Sequence, residues 1–142
     1  MIVVGIDGGP LGNEALRFAL HEATLRGTRV RAVHAWSVAP VVPMTGPGFI
    51  ETYDPEPAHR AATATLNEVL EAVAGDRADQ IERVVVQGGA GEAIIENAHD
   101  AELIVVGSHQ HGAIGGLVLG SVSQHVVKHA TCPVAVVPPV PA

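Results

Sequence analysis

The period of apolar and polar positions changes repeatedly along the chain, and each change marks an element. Residues 2–7 form a short β-branched run that ends at Gly8-Gly9-Pro10. They read as a buried strand and a turn. From Asn13 the spacing becomes helical. Leu16, Ala19, Leu20 and Ala23 fall at i, i+3, i+4 and i+7, one stripe of a helix, and Gly27 sits where a C-cap belongs. Val30–Trp36 predicts a second strand. Residues 37–57 carry Pro40, Pro43, Pro47, Pro55 and Pro57 with Gly46 and Gly48, which forbid regular structure over most of that stretch. A loop of this length is either a functional lid or a mobile connection.

The stripe Ala62, Leu66, Val69, Leu70 and Val73 predicts a second helix over 58–74, closed by Gly75. A third strand follows at 83–86, a third helix at 91–99 and a purely apolar fourth strand at 103–106. Residues 107–120 form a loop with glycines at 107, 112, 115, 116 and 120. A fourth helix at 121–130 turns Val122 and Val126 inward. A fifth strand at 133–137 precedes a proline-rich tail. Strand-helix alternation of this kind predicts an α/β fold: an open five-stranded parallel sheet, Rossmann-like, with helices on both faces and right-handed crossovers. At 142 residues the chain fits one domain, 1–142.

Composition sharpens this picture. Hydrophobic residues make up 47% but aromatics only 3%, so the core is built from Val, Ile, Leu and Ala, as buried parallel strands require. Net charge is -7 and Lys128 is the only lysine. A phosphate-tracking nucleic-acid binder needs a basic face, and none is visible, so nucleic acid is set aside. Any phosphate site must then rely on backbone N–H groups, a metal or histidine. Cys132 is alone, which forbids an internal disulfide and suits a reducing compartment. The opening MIVVGID lacks a basic leader, and no apolar run reaches the roughly 18 residues of a membrane helix. The expected location is the cytoplasm, away from membranes.

In open α/β sheets ligands bind beyond the carboxyl ends of strands, where strand order reverses. Asp7 ends the first strand and Gly107 ends the fourth. The Gly107 loop has the elements of an anion site: glycines let N–H groups converge, and Gly120-Ser121 lead into a helix N-terminus that favours phosphate. Ser121 and Ser123 add hydroxyl donors. The same spacing also suits a plain flexible connection with Ser121 as an N-cap. A Walker loop is excluded, because His129 follows Lys128. The stretch Gly89-Ala90-Gly91-Glu92-Ala93-Ile94 begins like a dinucleotide fingerprint but fails at Ile94, where a small residue is required.

The segments IVVGIDGGP, RVRAVHAW and AELIVVGSHQHGAIGGLVLGSVSQHVVKHATCPVAVV resemble the universal stress protein family over nearly the whole chain. The resemblance implies an adenine nucleotide alpha hydrolase-like fold. ATP-binding members carry G-x2-G-x9-G-(S/T). Gly107 fills the first glycine and Gly120-Ser121 the end, while Gln110 replaces the second glycine and Gly9 stands where a serine is usual. By resemblance, Asp7 meets the adenine or ribose side, and the Ala35 backbone hydrogen-bonds adenine. The Gly107 loop with His109 and Gln110, together with Gly120, Ser121, Val122 and Ser123, holds ribose and phosphates. Gln110 is expected to weaken this site, and His109 to lend it a pH-dependent positive charge. Mg²⁺ or Mn²⁺ would be held through the phosphates. The resemblance also implies a homodimer paired along Val134–Val137.

Eight histidines invite a metal reading, with His125 and His129 at i, i+4, but no third ligand is evident. Cys132 reads as a small buried apolar residue, and no nucleophile-base arrangement is convincing. Three functions remain. The first is a nucleotide-binding stress or regulatory module acting as a homodimer. The second is a dimeric interaction module of the same fold without ATP. The third is a slow ATPase or a self-phosphorylating protein.

Overall fold

A computed structural model describes residues 1–38, 54–108 and 119–140. Its β-branched runs form five parallel strands: β1 (Ile2–Gly5), β2 (Val30–Trp36), β3 (Glu82–Gln87), β4 (Leu103–Gly107) and β5 (Val134–Val137). Their order in the sheet is β3-β2-β1-β4-β5. Register is set by pairs such as Ile2 with Val30 on one side and Ile2 with Leu103 on the other. The helices are α1 (Pro10–Arg26), α2 (Glu56–Ala74), α3 (Ala90–Glu96) and α4 (Ser121–His129).

Strand alternation divides the core into two layers, because successive side chains point to opposite faces. Ile2, Val4 and Ile6 pack with Leu16, Ala19, Leu66 and Leu70 of α1 and α2. Val3 packs on the other face with Ala93 and Ile94 of α3 and Val126 of α4. The helices therefore cover both faces. Leu16, Leu66 and Leu70 are fully buried, as the predicted stripes require.

Helix ends follow the local chemistry. Gly27 closes α1 in the left-handed conformation, φ 63°, and its N–H returns to Ala23 and Thr24 carbonyls. Several bounds differ from the sequence reading. α1 begins at Pro10 rather than Asn13, because proline is well placed in the first turn, where its missing N–H has no intrahelical partner to lose. A 3-10 turn, Gly75–Gln80, follows α2 and was not expected. α3 ends at Glu96, where the Asn97 side chain bonds back to the Ala93 carbonyl.

Arg31 fastens the amino end of the sheet. Its guanidinium donates to Glu82 on β3, to Asp100 before β4, and to the Asn97 carbonyl, with distances of 2.6–2.8 Å for the shortest bond to each. Hydrogen bonding to Asp100 first, and to Glu82 second, holds Arg31 in its charged form. In turn, Arg31 holds the Asp100 carboxyl below its usual range.

Candidate functional site

β1 and β4 are neighbours, but their chains leave in opposite directions. β1 leads to α1 on one face, and β4 is followed by α4 on the other. The carboxyl ends of the two strands therefore diverge, and a cleft opens between them. Its described walls enclose about 90 Å³. It is lined by Asp7 and Gly12 from the β1-α1 segment, Ala35 of β2, Ile94 of α3, Val106 and Gly107 of β4, and Val122 of α4.

Glycine makes this junction fit. A Cβ on Gly12 would lie 2.7 Å from Asp7 Oδ1, and one on Gly107 would lie 3.0 Å from the Leu11 side chain. The β1-α1 turn and the end of β4 can approach this closely only without those side chains. The exposed Asp7 carboxylate accepts the Gly9 N–H at 2.8 Å through Oδ1. The remaining described lining is apolar, and Asp7 is the one charged side chain among the described residues that line the cleft.

Backbone bonding around Ala35 is unusual. Ile6 N–H donates to the Val33 carbonyl at 2.9 Å, and Gly88 N–H donates to the Trp36 carbonyl on the opposite side of β2. Strand alternation therefore turns the Ala35 N–H and carbonyl the same way as those of Val33, towards the cleft. The next rung of a parallel ladder would join Ala35 N–H to the Ile6 carbonyl. That carbonyl instead accepts Nδ1–H of His34 at 2.7 Å. His34 is only 8% exposed. Sequence reasoning named Ala35 but passed over His34, which looks like an ordinary core position in VRAVHAW.

The helix beyond the glycine loop starts as expected, with one change of roles. Gly120 is the N-cap of α4, Ser121 is its exposed first residue, and no side chain caps the end. Ser123 is 2% exposed and donates its hydroxyl to the Gly107 carbonyl at 2.8 Å. That hydroxyl ties α4 to β4. Asp7, Ala35, Gly107 and Val122 meet at the cleft, with Gly120 and Ser121 on the chain that leads into α4. His109 and Gln110, together with Gly112, Gly115 and Gly116, lie outside the described residues, as does most of the 37–57 loop.

Other chemistry is sparse. The His125 and His129 rings lie 4.2 Å apart, and His129 Nδ1–H donates to the His125 carbonyl. Among the described residues no three His, Cys, Asp or Glu side chains are grouped to hold a metal. Burial pushes the Cys132 thiol up, which disfavours the thiolate. No described helix is long and apolar enough to cross a membrane.

The model of the universal stress protein family matches residues 1–138. The chain belongs to the universal stress protein family. A universal stress protein of Mycobacterium tuberculosis (strain ATCC 25618 / H37Rv) is 37% identical over 136 residues, covering 95% of this chain and 44% of the relative. The chain thus spans less than half the length of that curated relative. A solved universal stress protein from Archaeoglobus fulgidus in complex with dAMP is 28% identical, with a TM-score of 0.66 over 95% of this chain and 94% of that one. A second universal stress protein structure, in complex with cAMP, is 26% identical, with a TM-score of 0.68 over 98% of this chain and 96% of that one. The five-stranded parallel sheet between helical layers is the universal stress protein fold.

Proposed function

We propose that the cleft between β1 and β4 binds an adenine nucleotide and that the protein acts as a nucleotide-responsive regulatory module. The observation that carries this reading is the Ala35 backbone, whose N–H and carbonyl no described residue uses, beside an apolar cleft. Adenine offers an acceptor at N1 beside a donor at N6. A strand residue presenting N–H and carbonyl in one direction complements that pair. Apolar walls from Ile94, Val106 and Val122 suit a flat ring, and the Asp7 carboxylate suits ribose hydroxyls. Phosphates would meet the open N-terminus of α4 at Gly120 and Ser121, where N–H groups and the helix dipole favour anions. The family structures with dAMP and cAMP support the same ligand class.

Finer parts of the proposal rest on the same geometry. ATP is the proposed ligand, with Mg²⁺ or Mn²⁺ held by its phosphates, since Asp7 is the only carboxylate in the described lining. Both helical layers pack on one sheet, which supports a single functional unit over 1–142. That unit is proposed to work in the cytoplasm as a homodimer in a stress response.

The experiment is calorimetric titration with ATP, AMP and cyclic AMP, with and without Mg²⁺. At least one nucleotide should bind the parent protein. Ser121→Glu places a carboxylate where phosphate would sit and should weaken ATP binding at least tenfold, an ordinary penalty for an unfavourable charge contact. Ser121 is exposed, so the fold should survive. A parent that binds none of the three, or a variant that binds ATP like the parent, refutes the proposal.

A further inference from the structure

We infer that His34 is a positioning residue that holds the Ala35 backbone open towards the cleft; its role in recognition rests on the adenine-binding reading above. The ladder between β1 and β2 is regular from Ile2 with Val30 to Gly5 with Val33, and Ile6 N–H continues it to the Val33 carbonyl. The following bond would consume Ala35 N–H. His34, one residue earlier on β2, reaches across instead and donates Nδ1–H to the Ile6 carbonyl at 2.7 Å. The ring thus satisfies the carbonyl of the residue just after β1 and competes with Ala35 for it. Beyond this point the chain leaves the sheet through Asp7 and the left-handed Gly8, φ 83°.

A buried imidazole that donates to a backbone carbonyl has its tautomer set, with the proton on Nδ1. On the other side of β2, β3 pairs through Ala35 with Val86 and Trp36 with Gln87, which fixes the strand's position. With β2 held from that side and the Ile6 carbonyl already taken, Ala35 keeps a donor and an acceptor that no described residue uses. These two groups are the ones that would distinguish adenine from a base with the opposite edge. Hypoxanthine is such a base: it presents a donor at N1 and an acceptor at O6. His34 would therefore govern base selectivity without touching the base.

The test uses two variants and two readouts. His34→Asn places an amide nitrogen near the position of Nδ1 and keeps the donor. His34→Leu removes it. Amide hydrogen exchange, read by NMR on the protein without nucleotide, should show Ala35 exchanging fast in the parent and in His34→Asn. It should be protected in His34→Leu, where Ala35 N–H closes onto the Ile6 carbonyl. Titration with ATP and ITP should then show the parent and His34→Asn preferring ATP. His34→Leu should lose about tenfold of that preference, the worth of roughly one hydrogen bond. Slow exchange of Ala35 in the parent overturns the inference whether or not His34→Leu folds. Equal ATP-over-ITP preference in parent and His34→Leu overturns the recognition role. A parent that binds neither nucleotide refutes the adenine-binding reading and the recognition role with it, and the exchange data still decide whether His34 holds Ala35 open.

Discussion

Asp7 and Gly12 are matched at the level of single atoms, and that match can be tested. Alanine normally gains about 1 kcal/mol over glycine inside a helix. At Gly12 the added Cβ would sit 2.7 Å from Asp7 Oδ1 and force the carboxylate to turn, breaking its bond to Gly9 N–H. Gly12→Ala should therefore melt near the parent temperature while adenine-nucleotide affinity falls about tenfold. Calorimetric titration alongside a thermal melt checks this, and an unchanged affinity would show that Asp7 does not meet the ligand. Asp7 and Gly107 were legible in the sequence, because strand ends followed by glycine mark the places where a sheet can open. Ala35 was found by resemblance. His34 was not found, because its partner is the carbonyl of Ile6, just past the end of β1, and no local pattern reports a bond that skips 28 positions. The bond of the Ser123 hydroxyl to the Gly107 carbonyl was not foreseen for a similar reason: only the packed fold brings α4 against the end of β4.

The strands and helices themselves were well marked, since each needed only its own period. Their ends were less so. Gly8-Gly9-Pro10 reads as a turn, yet Pro10 already opens α1, and the 3-10 turn after α2 carries no apolar stripe. Contacts among three elements were invisible in advance. The Arg31 clamp joins β2, β3 and the segment before β4 across 51 and 69 positions. Its side chain is 15% exposed, so Arg31→Met should lower stability at pH 7 by about 1–3 kcal/mol, the usual range for charged hydrogen bonds. The pH dependence has a definite sign. Arg31 depresses the Asp100 pKa in the folded state, so the Asp100 share of the clamp is present above the unfolded carboxylate value of about 3.9. It is lost as pH falls from there through the folded value. Denaturant titrations at pH 7, 4 and 3 should show the parent losing stability more steeply than Arg31→Met. Parallel curves would show that the clamp does not act through Asp100.

For the whole molecule, β5 is one of the two edge strands of the sheet and offers a place for a partner strand. β5 pairs with β4 alone. Ile104 N–H donates to the Pro133 carbonyl and Ser108 N–H to that of Val137, so odd-numbered residues of this segment bond inward. Val134 and Val136 therefore turn their N–H and carbonyl groups outward. Val136→Pro removes an outward donor without touching the ladder to β4. If two copies pair along Val134–Val137, sedimentation velocity should show the parent as a dimer and this variant shifted to monomer. A monomeric parent would refute that assembly. Strand order also has a consequence for the newborn chain. Ile2 ends up between Val30 and Leu103, so β1 is translated early but completed late. At a synthesis rate of about 5–20 residues per second, one side of β1 waits roughly 5–20 seconds for its partner to be made. During that interval a run of Ile and Val lies along an unfinished β-edge. On the ribosome it is this seam, rather than β5, that most needs shielding by chaperones from other nascent chains.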